Sequence, residues 1–560
     1  MSTKHKKLGE ILLETGEITE SQLEQALKVS KEKGTVLGST LLDLGFIEEK
    51  TLYKGLGYLF HIPYIELSDT DVEKSASSLI SEKLARKHVM IPIKKDGKYL
   101  TVVMSDPLNF YAIDDAKSIT GLEITPAISS PKDIFNAIDK YYGSENAVMA
   151  FEELQKEYSN LGFTGLSELT ESQVASAPVV KLINSILRHA IKSNASDIHI
   201  EPTNTNLRIR FRIDGELQEV MTSSMAAHPA MTTRIKIMGQ MDIAEKRVPQ
   251  DGRVETLVDG VQVDLRISLL PTVYGEKIVI RILGGSSGAL DISQLGISKP
   301  NRRLFEKITK SPNGIVLVSG PTGSGKTTTL YSLLKQANRP EVNIITVEDP
   351  VEYKLVGINQ VQVNVKAGLT FANGLRSILR QDPDIIMIGE IRDGETAEIA
   401  IRASITGHLV FSTIHTNDSA SSVARLVDMG IEPYLVSSSL VGVVAQRLVR
   451  NICQKCKVEY TPDSAEMQIL NLSETKPIYR GAGCPSCNGT GYKGRSGIHE
   501  ILVVTKEIRE LVNKGASIDD IAKLGVSQGT ITLRQSCIDL VLNGTTTMDE
   551  LVKVTYSVDN

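Results

Sequence analysis

Gly320-Pro-Thr-Gly-Ser-Gly-Lys-Thr327 fits the pattern G-x-x-x-x-G-K-[ST], and its flanks constrain the fold more than any other stretch. The β-branched run Ile315-Val-Leu-Val318 precedes it and reads as a buried strand. Thr328-Thr-Leu-Tyr-Ser-Leu-Leu334 follows and reads as a helix. Strand, glycine loop and helix in that order build a phosphate cradle. The glycines let backbone N–H groups turn inward onto phosphate oxygens, and the helix N-terminus adds its positive end. Gly320, Pro321, Thr322, Gly323, Ser324, Gly325, Lys326, Thr327 and Thr328 are therefore the expected nucleotide contacts. Lys326 would reach the β- and γ-phosphates and Thr327 would hold Mg²⁺. A glycine turn without a ligand needs none of this context, so a nucleoside triphosphate is the expected ligand.

A chain of 560 residues has room for about three or four domains. Apolar content of 41% and charged content of 23% describe a soluble globular protein, and no apolar run nears the roughly 18 residues needed to cross a bilayer. The basic start Met1-Ser-Thr-Lys-His-Lys-Lys7 is followed by Glu10, Glu14, Glu17 and Glu20, so a secretory leader is not expected and a cytoplasmic location is. Net charge is −5 and Trp is absent, which argues against a nucleic-acid motor with a basic, aromatic-lined track.

Four of the five cysteines form two pairs, Cys453-x-x-Cys456 and Cys484-x-x-Cys487, separated by 27 residues. In a reducing compartment such pairs read as a Cys₄ zinc site rather than disulfides. Glycines around the second pair supply the tight turns that aim two thiolates at one metal. With four protein ligands the site would be closed and structural. A redox pair is the competing reading. Cys537 is left over and reads as a small buried hydrophobe.

Residues 1–60 contain a repeat. Leu8-Gly-x-x-Leu12, Gly16, Ile18, Leu23 and Leu27 recur 29 positions later as Leu37-Gly-x-x-Leu41, Gly45, Ile47, Leu52 and Leu56. Helical spacing with a glycine stop predicts two helix–turn–helix copies. Residues 61–143 mix short strands with helices and read as a small α+β domain. The polar stretch 144–177 reads as a linker with one helix. From 178 to 288 a helix precedes alternating strands. Alternation sets Arg208, Arg210 and Arg212 on one face of theirs, either as a solvated face or as contacts to phosphate or a neighbouring subunit. Residues 289–560 hold the phosphate loop, the Cys₄ insert (about 450–495) and C-terminal helices.

Beyond the loop, two apolar strands end in acids: Asn343-Ile-Ile-Thr-Val347 runs into Glu348-Asp-Pro-Val-Glu352, and Asp384-Ile-Ile-Met-Ile388 into Gly389-Glu-Ile-Arg-Asp393. Unbroken apolar runs imply parallel strands buried on both faces, and ligands of such sheets sit at the carboxyl ends of the strands. A third strand, Leu409-Val-Phe-Ser412, leads to His415. Hydrolysis needs Mg²⁺ ligation, a group that orients or deprotonates water, and positive charge on the phosphate. The acids and histidine answer the first two needs, although each acid alone could simply cap a helix.

Together these blocks carry a resemblance that covers almost the whole chain. Ala195-Ser-Asp-Ile-His-Ile-Glu-Pro202, Ala244-Glu-Lys-Arg-Val-Pro-Gln-Asp-Gly-Arg253, the phosphate loop, Glu348 to Glu352, Arg380 to Asp384, Gly389 to Asp393, Thr406-Gly-His-Leu-Val410, Ser412-Thr-Ile-His-Thr416, Ala445-Gln-Arg-Leu448 and both cysteine pairs resemble the type II secretion and type IV pilus assembly ATPases. The resemblance implies an α/β multidomain chain: a RecA-like P-loop core, preceded by a PAS-like α+β domain and a helical and α+β N-terminal region. It further implies a homohexamer that turns over ATP with Mg²⁺, carries Zn²⁺, and drives pilin or pseudopilin assembly. The motor would be peripheral to the inner membrane, held there by a platform protein and other assembly components. By motif match, Glu352 is the catalytic base and Glu390 acts on Mg²⁺ and its water. His408 and His415 sense the γ-phosphate and link to the subunit interface, and Arg266 and Arg281 close over the γ-phosphate. That leaves the Arg208 strand structural. Retraction ATPases resemble the core but usually lack the long N-terminal region and the Cys₄ insert. The N-terminal repeat resembles a paired-helix domain that binds cyclic di-GMP in some relatives, through an arginine before Leu-Gly and a glutamine ending each copy. Here Lys7 and Val36, then Ser30 and Leu59, stand at those positions. Without the guanidinium and amide, docking to a partner is expected rather than the dinucleotide.

Overall fold

The computed structural model describes residues 7–138, 141–142, 177–283 and 291–559. The stretch read as a linker lies outside them, apart from Ala177. Near the N-terminus, helices Leu8–Glu14 and Glu20–Lys33 are followed by Leu37–Asp43 and Glu49–Phe60. The Leu-Gly step has the same use in both copies. A Cβ on Gly9 would come within 2.8 Å of Leu23, and one on Gly38 within 2.9 Å of Leu52. The missing side chain at each glycine leaves room for the leucine tip of the partner helix. A three-stranded sheet follows, Met90–Asp96, Tyr99–Met104 and Glu123–Ile128, with helix Phe110–Thr120 between its last two strands.

Next comes a six-stranded antiparallel sheet in the order Glu216–Ser224, Asn206–Ile213, Asp197–Pro202, Gly275–Leu283, Val261–Thr272, Gln250–Val258. One face is apolar. Ile198, Ile200, Leu207, Ile209, Phe211, Leu265, Ile267, Ile278 and Ile280 form a core with the helices Ala177–Lys192 and His228–Met238. Because side chains alternate, the other face collects charge. Arg253, Arg266, Arg281, Asp197 and Arg212 stand directly opposite one another on five successive strands. Strands Glu216–Ser224 and Gln250–Val258 carry polar, half-exposed residues with no apolar alternation, so the sequence by itself does not mark them.

The phosphate loop belongs to a seven-stranded sheet ordered Asn359–Gln362, Ile344–Glu348, Ile385–Ile388, Leu409–Ile414, Gly314–Ser319, Leu440–Ile452, Tyr492–Val503. All neighbours pair in parallel except the last two. Strands Gly314–Ser319, Ile344–Glu348, Ile385–Ile388 and Leu409–Ile414 are buried at every residue, because separate hydrophobic clusters cover the two faces. Fully burying side chains such as Phe305, Phe411 and Leu334 contributes about 1.5–3 kcal/mol each. Parallel pairing brings the carboxyl ends of the strands to one edge, and that edge is the site.

Two seams join these units. Asp214, in the turn between two strands of the antiparallel sheet, accepts from the Gly494 N–H at 2.8 Å, and Lys553 reaches Glu216 at 3.0 Å. Lys455, inside the first cysteine pair, donates to Ser68 at 2.7 Å and lies 3.0 Å from Asp69. Among the described residues no helix is long and apolar enough to cross a membrane.

Candidate nucleotide-hydrolysis site

Strand Gly314–Ser319 delivers the chain into the phosphate loop, and Gly325 caps helix Lys326–Ala337 in the left-handed region, φ 87°. Gly320 sits at φ 143°, where a Cβ would lie 2.4 Å from the Gln446 carbonyl oxygen. Glycine is thus required there both by conformation and by space. The buried Gln446 amide braces the loop from behind. It donates to the Ser324 carbonyl at 2.8 Å and accepts from the Thr329 hydroxyl at 2.7 Å. Lys326 Nζ donates to the carbonyls of Gly320 (2.7 Å) and Pro321 (3.0 Å), so its ammonium lies across the loop. Burial pulls its pKa down to about 8, and the Glu390 carboxylate opposes that shift. Lys326 is still charged near neutral pH, in low-dielectric surroundings where its field on a phosphate is strong.

Glu352 lies four residues past the strand Ile344–Glu348. Its carboxylate faces the arginine row, with Arg266 Nη2 at 3.9 Å from Oε2 and 3.5 Å from the Val351 carbonyl. At 3.9 Å the pair interacts through charge and not through a hydrogen bond, leaving Oε2 without a hydrogen-bond partner. Burial raises the Glu352 pKa, while Arg266 and then Arg281 pull it back. A carboxylate of raised basicity beside unsatisfied acceptor capacity is suited to taking a proton from water. Arg281 Nε donates to Asp197 at 2.9 Å, and its side chain is 57% exposed. Arg253, Arg266, Ser268, Val279 and Arg281 line a cleft of ≈ 620 Å³ on this face.

Glu390 follows the strand Ile385–Ile388 and is largely buried, with Arg392 Nε at 2.6 Å and His415 Nε2 at 3.5 Å. Burial and then Lys326 lower the His415 pKa, against the pull of Glu390, which favours the neutral imidazole. The structure therefore gathers Lys326, Glu390 and His415 at one edge, with Glu352 and Arg266 at the seam to the antiparallel sheet. It does not bring His408 there. His408 immediately precedes the strand Leu409–Ile414, hydrogen-bonds Ala403 through Nδ1 at 2.8 Å, and stands roughly 20 Å along that strand from His415. Arg208 and Arg210 pair with the buried Glu201, at 3.1 and 2.8 Å, on the same face of the sheet as Arg266 and Arg281 but further along their strand from that row.

The profile of the type II/IV secretion system protein family matches residues 172–553. The chain belongs to this family. An MshEN domain profile matches residues 60–148. The type IV pilus assembly ATPase PilB of Myxococcus xanthus strain DK1622 is 42% identical over 98% of both chains. The type II secretion system ATPase E of Vibrio cholerae is 49% identical over 69% of this chain and 77% of its own. The DotB ATPase of Legionella pneumophila superposes with a TM-score of 0.52 at 21% identity, covering 67% of this chain and 95% of its own, a likeness in fold alone. Family membership makes this chain an ATP-hydrolysing secretion or pilus-assembly motor with a RecA-like core.

The four cysteine sulfurs of this secretion or pilus-assembly ATPase lie within 4.8 Å of one another, with Cys453–Cys484, Cys456–Cys487 and Cys484–Cys487 each at 3.8 Å. A tetrahedron with Zn–S of about 2.3 Å has edges of roughly 3.8 Å, so the donor set fits zinc. Cys537 is fully buried and distant in role, packed with Leu533, Val541 and Leu551. Two residues of the ATPase site had no role assigned from sequence: Gln446 behind the loop, and Tyr331, which touches Glu348 and Glu352. Gln446 lies in a block that carried the resemblance. Nothing in its spacing showed that its amide reaches a loop 122 positions earlier.

Proposed function

We propose that the chain is the extension motor of a type IV pilus, a cytoplasmic homohexamer working on an inner-membrane platform protein to add pilin subunits. The observation that carries the pilus assignment is the pilus relative that matches over 98% of both chains, N-terminal region included. Type II secretion, with pseudopilin as cargo, is the second reading, favoured by the higher identity of the secretion relatives, 49–50% over 68–69% of this chain. In either setting Lys326 and the loop amides hold the phosphates, while Thr327 and Glu390 hold Mg²⁺ and its water. Glu352 takes the proton from the attacking water. Arg266 and Arg281 neutralise the γ-phosphate as the PAS-like domain closes on the core, an effect worth on the order of 10³–10⁵ in rate. His415 reads the γ-phosphate from beside Glu390, and His408 acts at the opposite end of its strand, toward a neighbouring subunit. The Cys₄ knuckle holds structural zinc.

The helix pairs of residues 7–60 serve as a docking unit for a membrane-complex protein and not for cyclic di-GMP. Support comes from Lys7, Val36, Ser30 and Leu59, which lack the planar donors suited to phosphate and guanine. Calorimetric titration that returned micromolar dinucleotide binding would overturn this. The function itself is tested by deleting the gene and scoring surface pili and exported protein in the same cultures. Loss of pili with normal export is the expected result. Intact pili with export blocked would assign the chain to secretion.

A further inference from the structure

Tyr331 is fully buried on the helix that starts at Lys326, about 7.5 Å along its axis from that lysine. A phenol has one proton to give and two lone pairs to offer. Here all three are used. The hydroxyl donates to Glu348 Oε2, accepts from the backbone N–H of Glu352 at 3.2 Å, and accepts from Gln360 Nε2 at 3.3 Å. Glu348, itself buried at the end of its strand, also takes Thr346 Oγ1 at 2.5 Å and Gln360 Nε2 at 3.1 Å on its other oxygen. The two Nε2 hydrogens of Gln360 are shared among the Tyr331 oxygen, Glu348 and the Tyr353 carbonyl at 3.2 Å, and its Oε1 accepts from the Leu355 N–H at 2.7 Å. Three backbone groups between 352 and 355 are thus held by two side chains, both anchored on one buried carboxylate. The rings of Tyr331 and Tyr353 close the contact edge-to-face, 4.6 Å between centroids.

We infer that Tyr331 is a positioning residue for hydrolysis. Its hydroxyl fixes the backbone of Glu352 relative to the phosphate loop, because Lys326 and Tyr331 ride on one rigid helix. This rests on the reading of Glu352 as the base. Glu348 is the anchor of the clamp and touches no substrate. A base held by such a clamp keeps its carboxylate in reach of the attacking water whatever the exposed side of its loop does. Loosening it by an ångström is enough to lose much of the rate.

The test uses the full-length oligomer with three variants, Tyr331→Phe, Gln360→Leu and Glu352→Gln. Turnover is measured by phosphate release, nucleotide affinity with a fluorescent ATP analogue, and folding by thermal melting. Tyr331→Phe keeps the ring in its buried place and removes only the hydroxyl. Its kcat is expected to fall on the order of 10- to 100-fold while analogue affinity stays at the wild-type value. Wild-type kcat in Tyr331→Phe, with Glu352→Gln inactive, overturns the inference and leaves the base assignment standing. Full turnover in Glu352→Gln overturns the base assignment itself. A loss of affinity matching the loss of kcat also overturns the inference, since it would report a deformed phosphate loop. If Tyr331→Phe does not fold, Gln360→Leu carries the test: lower kcat at unchanged affinity supports the clamp, and unchanged kcat overturns it.

Discussion

Replacing Gln446 by methionine keeps the approximate volume of the side chain but removes both ends of the brace behind the phosphate loop. In the wild type the amide is 3% exposed and joins the Ser324 carbonyl (2.8 Å) to the Thr329 hydroxyl (2.7 Å). The Thr329 hydroxyl can turn to a carbonyl one helical turn back, so its loss is small. The Ser324 carbonyl belongs to the loop and has no such alternative, and leaving it unpaired costs about 1–3 kcal/mol. That cost is avoided only by a loop that shifts away from its nucleotide-binding form. At about 1.4 kcal/mol per tenfold, ATP affinity should weaken roughly 5- to 150-fold. Titration with a fluorescent ATP analogue measures this directly, with thermal melting alongside to confirm that the fold survives. Turnover at saturating ATP should stay within a few-fold of wild type, because neither Glu352 nor the arginines are touched. Wild-type affinity in the folded variant would refute the reasoning. A collapse of kcat at unchanged affinity would equally show that Gln446 acts on the chemistry and not on the loop.

Arg281→Ala should leave ATP binding intact and slow hydrolysis; unchanged rates would return Arg281 to a structural partner of Asp197. Because burial raises the Glu352 pKa, the acid limb of the kcat profile should fall at a pH above the ordinary glutamate range. The sign follows from a base that works only when ionised. Removing Arg281, one of the charges holding that pKa down, should move the limb to still higher pH, and a limb that stays put would count against Glu352 as the base. Cys484→Ser or a strong chelator should withdraw on the order of 10 kcal/mol of metal binding from the insert, read as new protease cuts between 450 and 495. An insert that stays protease-resistant without metal would refute the zinc reading.

Much of this protein is written locally. The phosphate loop announces itself because strand, glycines and helix are contiguous, and Ile315–Val318 can only be buried on both faces. The apolar strands before Glu348 and Glu390 were legible for the same reason, as unbroken runs of a few residues, and the Leu-Gly repeat was legible because the same helical spacing recurs 29 positions on. Glu352, Arg266 and Arg281 came from motif resemblance, and nothing in their own spacing places an arginine 3.9 Å from a carboxylate 86 positions later.

Only the tertiary structure decided what surrounds those residues. Parallel pairing places Gln446 behind Ser324, and antiparallel register lines up Arg253, Arg266, Arg281 and Asp197 across strands far apart in sequence. It also sets His408 at the far end of the strand that His415 follows, although the two histidines are only seven positions apart. Tyr331 reads as one more apolar position on a helix until Glu348 and the Glu352 N–H are found on its hydroxyl. The physical reason is common to all of these. A side chain's direction is fixed by its own backbone, whereas its partners are fixed by strand order and register, which pack residues together regardless of the chain length between them.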